Sequence, residues 1–166
     1  QHQTEQLCVK DQSVFMAVLY LASVPGRAIT VDANELDKKK QEAYQALALS
    51  LGAANSTCLM IATTARELTN TLGLAINGTA LTRILDSLRR LAGVNFSITQ
   101  QQGTGNPVWQ SKLLSVVNMD DKNLLIGISP TLSKALNVQN AAKTYIDMKE
   151  QRALPTDSAK RLHIWL

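Results

Sequence analysis

Three consecutive stretches decide the fold: TARELTNTLGL (64–74), NGTALTRILDSLRRL (77–91) and VNFSIT (94–99), the last running into a Gln/Gly-rich turn, Gln100 to Asn106. In the first, Thr63 or Thr64 can cap a helix by accepting from a free backbone N–H, and Thr64-x-x-Glu67 has capping-box spacing. Gly73 suits a helix stop, because it tolerates the left-handed backbone that a tight C-terminus requires. In the second, Asn77-Gly78 opens a helix whose Leu81, Ile84, Leu85, Leu88 and Leu91 recur at i, i+3, i+4 and i+7, which marks the inward face.

After Gly93 the period changes to two. Val94, Phe96 and Ile98 alternate with Asn95, Ser97 and Thr99, as a half-buried strand does. Pro107 starts a return strand through Trp109 and Leu113 to about Val117, and Asp120-Asp121-Lys122 turns into a third strand with Leu124, Ile126 and Ile128 alternating. Two helices joined by a tight turn and followed by a β-hairpin are the element order of a winged helix-turn-helix. The fold class expected is therefore α+β, with helices packed on a small antiparallel sheet.

The flanks extend this frame. Asp11 to Val24 is apolar on several sides and stops at Pro25-Gly26, which predicts a buried helix. Ile29 to Val31 reads as a short strand. Glu35 to Leu51 reads as a helix with Leu36, Tyr44, Leu47 and Leu51 at helical spacing, and Lys38, Lys39 and Lys40 are read as a solvated face. Cys58 to Ala62 is a strand feeding the first of the paired helices. Ser129-Pro130 begins a short helix with Leu132 and Leu136, and Asn137 to Ala142 is a connector. Thr144 to Met148 reads as a strand, and Thr156 caps a further helix carrying Ala159, Leu162 and Leu166. The expected division is one domain over residues 1–142 and the start of a second over 143–166.

Composition narrows the function. Among 166 residues, 17 basic and 13 acidic side chains give a net charge of +4, a mild tilt toward an anionic partner. The longest apolar run, Val14 to Ala22, has nine residues, against the roughly 20 of a membrane-spanning helix. The expectation is no membrane partner, no leader and a reducing cytoplasm, since Cys8 and Cys58 have neither metal-ligand spacing nor disulfide density. No phosphate-binding loop occurs, Gly103-Thr104-Gly105 lacks the context of a dinucleotide site, and His2 and His163 have no partner at ligand spacing. Tyr20, Tyr44 and Tyr145 lack the histidine-built metal site a nicking nucleophile needs. No enzyme activity and no cofactor are expected.

Binding chemistry is the alternative. With its leucines inward, the second helix turns Thr79, Thr82, Arg83, Asp86, Arg89 and Arg90 outward. Arg83 is the candidate for a base edge, because a guanidinium can bond two guanine acceptors in the major groove. Asn77, Thr79 and Thr82 lie at the helix N-terminus, where free N–H groups attract phosphate. Arg66, Arg89, Arg90 and Lys112 are expected as positioning contacts, with Gln101 and Gln102 at the tip of the wing. The tip carries hydrogen-bonding groups without positive charge, and Asp86 repels phosphate unless it accepts from a cytosine amino group.

In order, the helix from Ser13 to Ala22, Ala65-Arg66-Glu67-Leu68, the helix from Leu81 to Leu91, the wing, Ser129-Pro130-x-Leu132, Tyr145-Ile146-Asp147-Met148 and Ser158-Ala159-x-x-Leu162-His163 make this chain resemble the replication initiator (Rep) proteins of plasmids. The likeness is closest to RepC-type initiators of IncQ-like plasmids. That resemblance implies two winged-helix domains that recognise direct repeats (iterons) in double-stranded origin DNA, open the strands and deliver a replicative helicase, with a homodimer formed through the first domain in several members. It implies that Lys143 to Leu166 opens the second domain. Two other readings of the same residues stand beside it: a dimerisation or protein-interaction module, and a winged-helix transcriptional repressor occupying an inverted repeat.

Overall fold

The computed structural model describes residues 7–99, 107–118, 122–137, 148 and 153. The elements run α1 (Val9–Ser23), β1 (Ala28–Val31), α2 (Lys38–Ala46), β2 (Ser50–Leu51), β3 (Cys58–Thr64), α3 (Ala65–Thr71), α4 (Gly78–Ala92), β4 (Asn95–Thr99), β5 (Pro107–Lys112), β6 (Leu114–Asn118), β7 (Asn123–Ile128) and α5 (Pro130–Asn137). The α+β expectation holds, but the strands form two antiparallel sheets rather than one: β1-β3-β7-β6 and β2-β5-β4.

The four-stranded sheet is the centre of the molecule. Its period of two sorts side chains between two layers. Ile61, Leu114, Leu124, Ile126 and Ile128 face a core shared with α1, α3 and α4. Met60, Val117 and Leu125 face the other way, onto Ala43 and Tyr44 of α2 and Leu47 at its end. Residues Leu124 to Ile128 of β7 are all buried, because β7 lies between β3 and β6 and is covered on both faces.

At Gly127 the packing leaves no room for a side chain. It pairs with Ser115 across the ladder, and the Ser115 hydroxyl donates at 2.7 Å to the Ala43 carbonyl of α2. A Cβ at Gly127 would run into that hydroxyl.

The apolar helix expected near the N-terminus is α1, with Val14, Ala17, Val18, Leu21 and Ala22 in the core. It is therefore core material rather than a free docking face. The helix expected over Glu35 to Leu51 is shorter. Asp37 caps α2 by accepting from the Lys39 and Lys40 N–H groups at 3.0 Å each, so Glu35 and Leu36 precede the helix. Leu36 is 97% exposed and contributes nothing to the core. Ala48, at φ +49°, ends the turn after α2, and the chain moves into β2 beside β5.

The long return strand expected from Pro107 to Val117 is also divided. Residues before Leu113 pair with β4 and β2, and residues after it pair with β7. Leu113 is the crossing point, where its N–H donates to Val94 and its carbonyl accepts from Ser129. The hairpin thus stands off the main core. Ile98, expected on a half-buried face, is 41% exposed on β4 of the smaller sheet. Lys134 of α5 sits 4.9 Å from the centre of the Trp109 ring and ties β5 to the body.

The strand expected over Thr144 to Met148 is not borne out at Met148, which is helical and buried in the α1 and α4 core. The rest of residues 138–166 lies outside the described residues except Ala153, also helical. The second-domain reading and His163 fall there.

Candidate nucleic-acid interface

The turn between α3 and α4 is built by local hydrogen bonds that the sequence announces. Thr64 Oγ1 accepts from the Glu67 N–H at 2.9 Å, a cap worth about 1 kcal/mol. The reciprocal half of a capping box is diverted. The Glu67 carboxylate accepts instead from Arg27 at 2.8 and 2.7 Å and from the Thr63 hydroxyl at 2.7 Å.

Gly73 adopts φ +70°. Its N–H donates to Asn70 at 2.9 Å, and the Leu74 N–H donates to Thr69 at 3.1 Å, the paired bonds of a Schellman stop. Asn77 then caps α4 through its side-chain oxygen, which accepts from the Ala80 N–H at 2.8 Å. This commits the side-chain oxygen of a residue expected to meet phosphate and leaves its amide N–H₂ as the group that could donate to one.

On α4, Ile84, Leu88 and Leu91 are buried, with Leu81 and Leu85 half-buried beside them. The outward ridge therefore carries Thr79, Thr82 and Arg83, all exposed. The Thr82 hydroxyl donates back to the Gly78 carbonyl at 3.0 Å, so its lone pairs remain available to a donor. Among the described residues no carboxylate lies in an ion pair with Arg83. Asp86 and Arg89 pair at 2.8 Å on the same ridge, so the carboxylate that would repel phosphate is matched by its own neighbour.

Arg90 does not belong to this ridge, contrary to the sequence expectation. Its guanidinium reaches Asp11 of α1 at 2.8 Å and Ser87 at 3.3 Å. Asp11 is fully buried, and it also accepts from the Cys8 N–H at 2.8 Å. Burial by itself pushes the Asp11 carboxyl up, but the hydrogen bonds from Arg90, the Cys8 N–H and Ser87 outweigh it and hold the carboxyl at about 2. A guanidinium spent on a buried carboxylate is structural.

Arg66 and Lys112 lie off the ridge, on the side of α4 that Arg89 also borders. With Lys122, which the sequence reading passed over, they border a groove of ≈ 880 Å³ between the start of α3, α4 and β6. Lys10 was also missed. It lines, with Thr79 and Arg83, a second hollow of ≈ 490 Å³ where α1 approaches α4. Neither lysine carries a local signal, because each reaches α4 only through the tertiary packing. Gln101 and Gln102 lie outside the described residues.

Among the described residues no group of three His, Cys, Asp or Glu side chains could hold a metal ion, and no helix is long and apolar enough to cross a membrane.

The family model described as Replication protein C (RepC) matches residues 2–166. No curated protein and no solved structure matches the chain. The chain belongs to the replication protein C family, and its role lies in plasmid replication.

Proposed function

We propose that this chain contacts double-stranded origin DNA through the exposed ridge of α4, as the DNA-reading part of a plasmid replication initiator without catalytic activity of its own. The observation that supports this most is Arg83. It stands exposed one turn into a capped helix, on a ridge with Thr79 and Thr82, free of any ion pair among the described residues. Placed in a major groove, it bonds guanine N7 and O6 while the helix N-terminus faces phosphate. The neighbouring hairpin follows a groove or the backbone beside it. Direct repeats are the target that the family suggests, with a replicative helicase recruited after strand opening.

The few cations on the ridge imply a shallow salt dependence, at roughly 0.9 in the log–log slope per phosphate neutralised. A gel-shift titration with an origin-repeat duplex and a scrambled duplex tests the reading. Arg83→Ala should weaken binding to the repeat by about 1 to 3 kcal/mol and relax preference at one base pair. Equal affinity of the wild type for both duplexes would sink it. Preference for a single inverted repeat would point to a repressor instead.

A second reading, a protein-interaction module, is favoured by one observation: the full exposure of Leu36 beside a structured acidic loop.

A further inference from the structure

The turn between α3 and α4 carries a run of apolar side chains that the fold does not use. Residues 74–76 read Leu-Ala-Ile and all three are exposed, Leu74 by 51% and Ile76 by 41%. The turn is closed by other means: the positive φ of Gly73, the backbone bonds from Gly73 to Asn70 and from Leu74 to Thr69, and the Asn77 cap. None of these depends on the side chain at 74, 75 or 76, so polar residues would serve the turn equally. Three consecutive exposed apolar residues are out of place on a soluble turn unless they meet something.

Gly78 is unexplained in the same way. Its φ is not positive, and a Cβ there would meet nothing within 4 Å. Neither conformation nor packing asks for glycine, although it costs helix stability relative to alanine. Bare backbone at this point lets a partner come close to the start of α4.

The neighbouring groups say what that partner presents. Leu74 and Ala75 border the same hollow as Asn77, Thr79 and Arg83. A surface that suits them all offers hydrogen-bonding groups and small apolar groups side by side. The major groove does so, with guanine N7 and O6 beside thymine C5-methyls, whereas the minor groove and the phosphate backbone present no methyl.

We propose that Leu74 and Ile76 pack on thymine C5-methyl groups in the major groove and so set a preference for A·T pairs near the guanine that Arg83 bonds. This rests on the DNA contact proposed for α4 and adds a base identity to it. From Ile76 to Arg83 the chain advances about 10 Å at roughly 1.5 Å per helical residue, which is about three base-pair steps of about 3.4 Å.

Anisotropy titrations of the 166-residue chain against an origin-repeat duplex test the proposal, with each thymine replaced in turn by deoxyuridine. The replacement keeps the base pair and removes only the methyl. One or two replacements, within about four base pairs of the guanine whose preference relaxes in Arg83→Ala, should weaken wild-type binding about three- to fivefold, the scale of one buried methyl. Leu74→Ser and Ile76→Ser, both at exposed positions, should each keep the wild-type circular dichroism. At least one should bind the thymine duplex more weakly by a similar factor and lose nothing further on the matching uracil duplex. Arg83→Ala should retain the uracil penalty. Sequence-specific wild-type binding that no uracil replacement changes would overturn the methyl contact and leave the DNA reading standing. Serine variants that both keep the wild-type uracil penalty would overturn it as well, and if they also bind every duplex like the wild type, the apolar run belongs to a protein partner. Equal wild-type affinity for repeat and scrambled duplexes would remove the DNA reading and the methyl contact together.

Discussion

Asp11 and Arg90 are 79 residues apart in the chain and meet at 2.8 Å, joining the first turn of α1 to the last turn of α4. The carboxylate is fully buried and the guanidinium side chain 26% exposed. The pair sets how the helix that carries Arg83 is held against the rest of the core.

Arg90→Ala should destabilise the fold by about 3 kcal/mol, because it leaves Asp11 buried, charged and without its strongest partner. Chemical denaturation measures this. Under conditions where it stays folded, the variant should bind duplex nearly as the wild type does, whereas Arg83→Ala should lose binding with unchanged stability. Loss of DNA binding by folded Arg90→Ala would return Arg90 to the interface.

The same pair sets an acid limit. The folded Asp11 carboxyl lies at about 2, below its ordinary 3.8, so its stabilisation is complete above pH 4 and is lost as pH falls through the folded value. Its size is about 2 kcal/mol. Asp11→Asn should be less stable than the wild type at pH 7, with the difference closing toward pH 2. A constant difference over that range would refute the assignment.

Gly127→Ala should cost about 1 to 3 kcal/mol, because the added methyl displaces the Ser115 hydroxyl from its bond to the Ala43 carbonyl. Thermal unfolding of the single variant and of Gly127→Ala with Ser115→Ala separates the causes. Removing the hydroxyl should relieve part of the clash, so the double variant should be less destabilised than the sum of the two.

The two thiols should react very differently. Burial pushes the Cys58 thiol up to about 12, while Cys8 is exposed. Iodoacetamide at pH 8 should modify Cys8 in the native protein and Cys58 only after denaturant is added, as mass spectrometry would show. Equal rates at both cysteines would contradict the packing of β3.

Where a feature depends on neighbours within a turn or two, the sequence alone determined it. Thr64 caps α3, Gly73 stops it with a positive φ, Asn77 caps α4, and the leucine spacing of α4 chooses its inward face. Each of these rests on hydrogen bonds or side-chain periods spanning five residues or fewer, so the residue types carry the information. The tertiary structure decided the rest. Arg83 and Arg90 look equivalent on a helical projection, yet among the described residues only Arg90 of the two meets a carboxylate, because α1 delivers Asp11 from 79 positions away. Trp109 and Val117 look like one strand, yet they belong to different sheets, because Leu113 is held by bonds to Val94 and Ser129. Leu36 looks like core and is 97% exposed, because the Asp37 cap starts α2 after it. Burial and ion pairing are properties of which surfaces meet, and long-range packing settles that while local spacing does not.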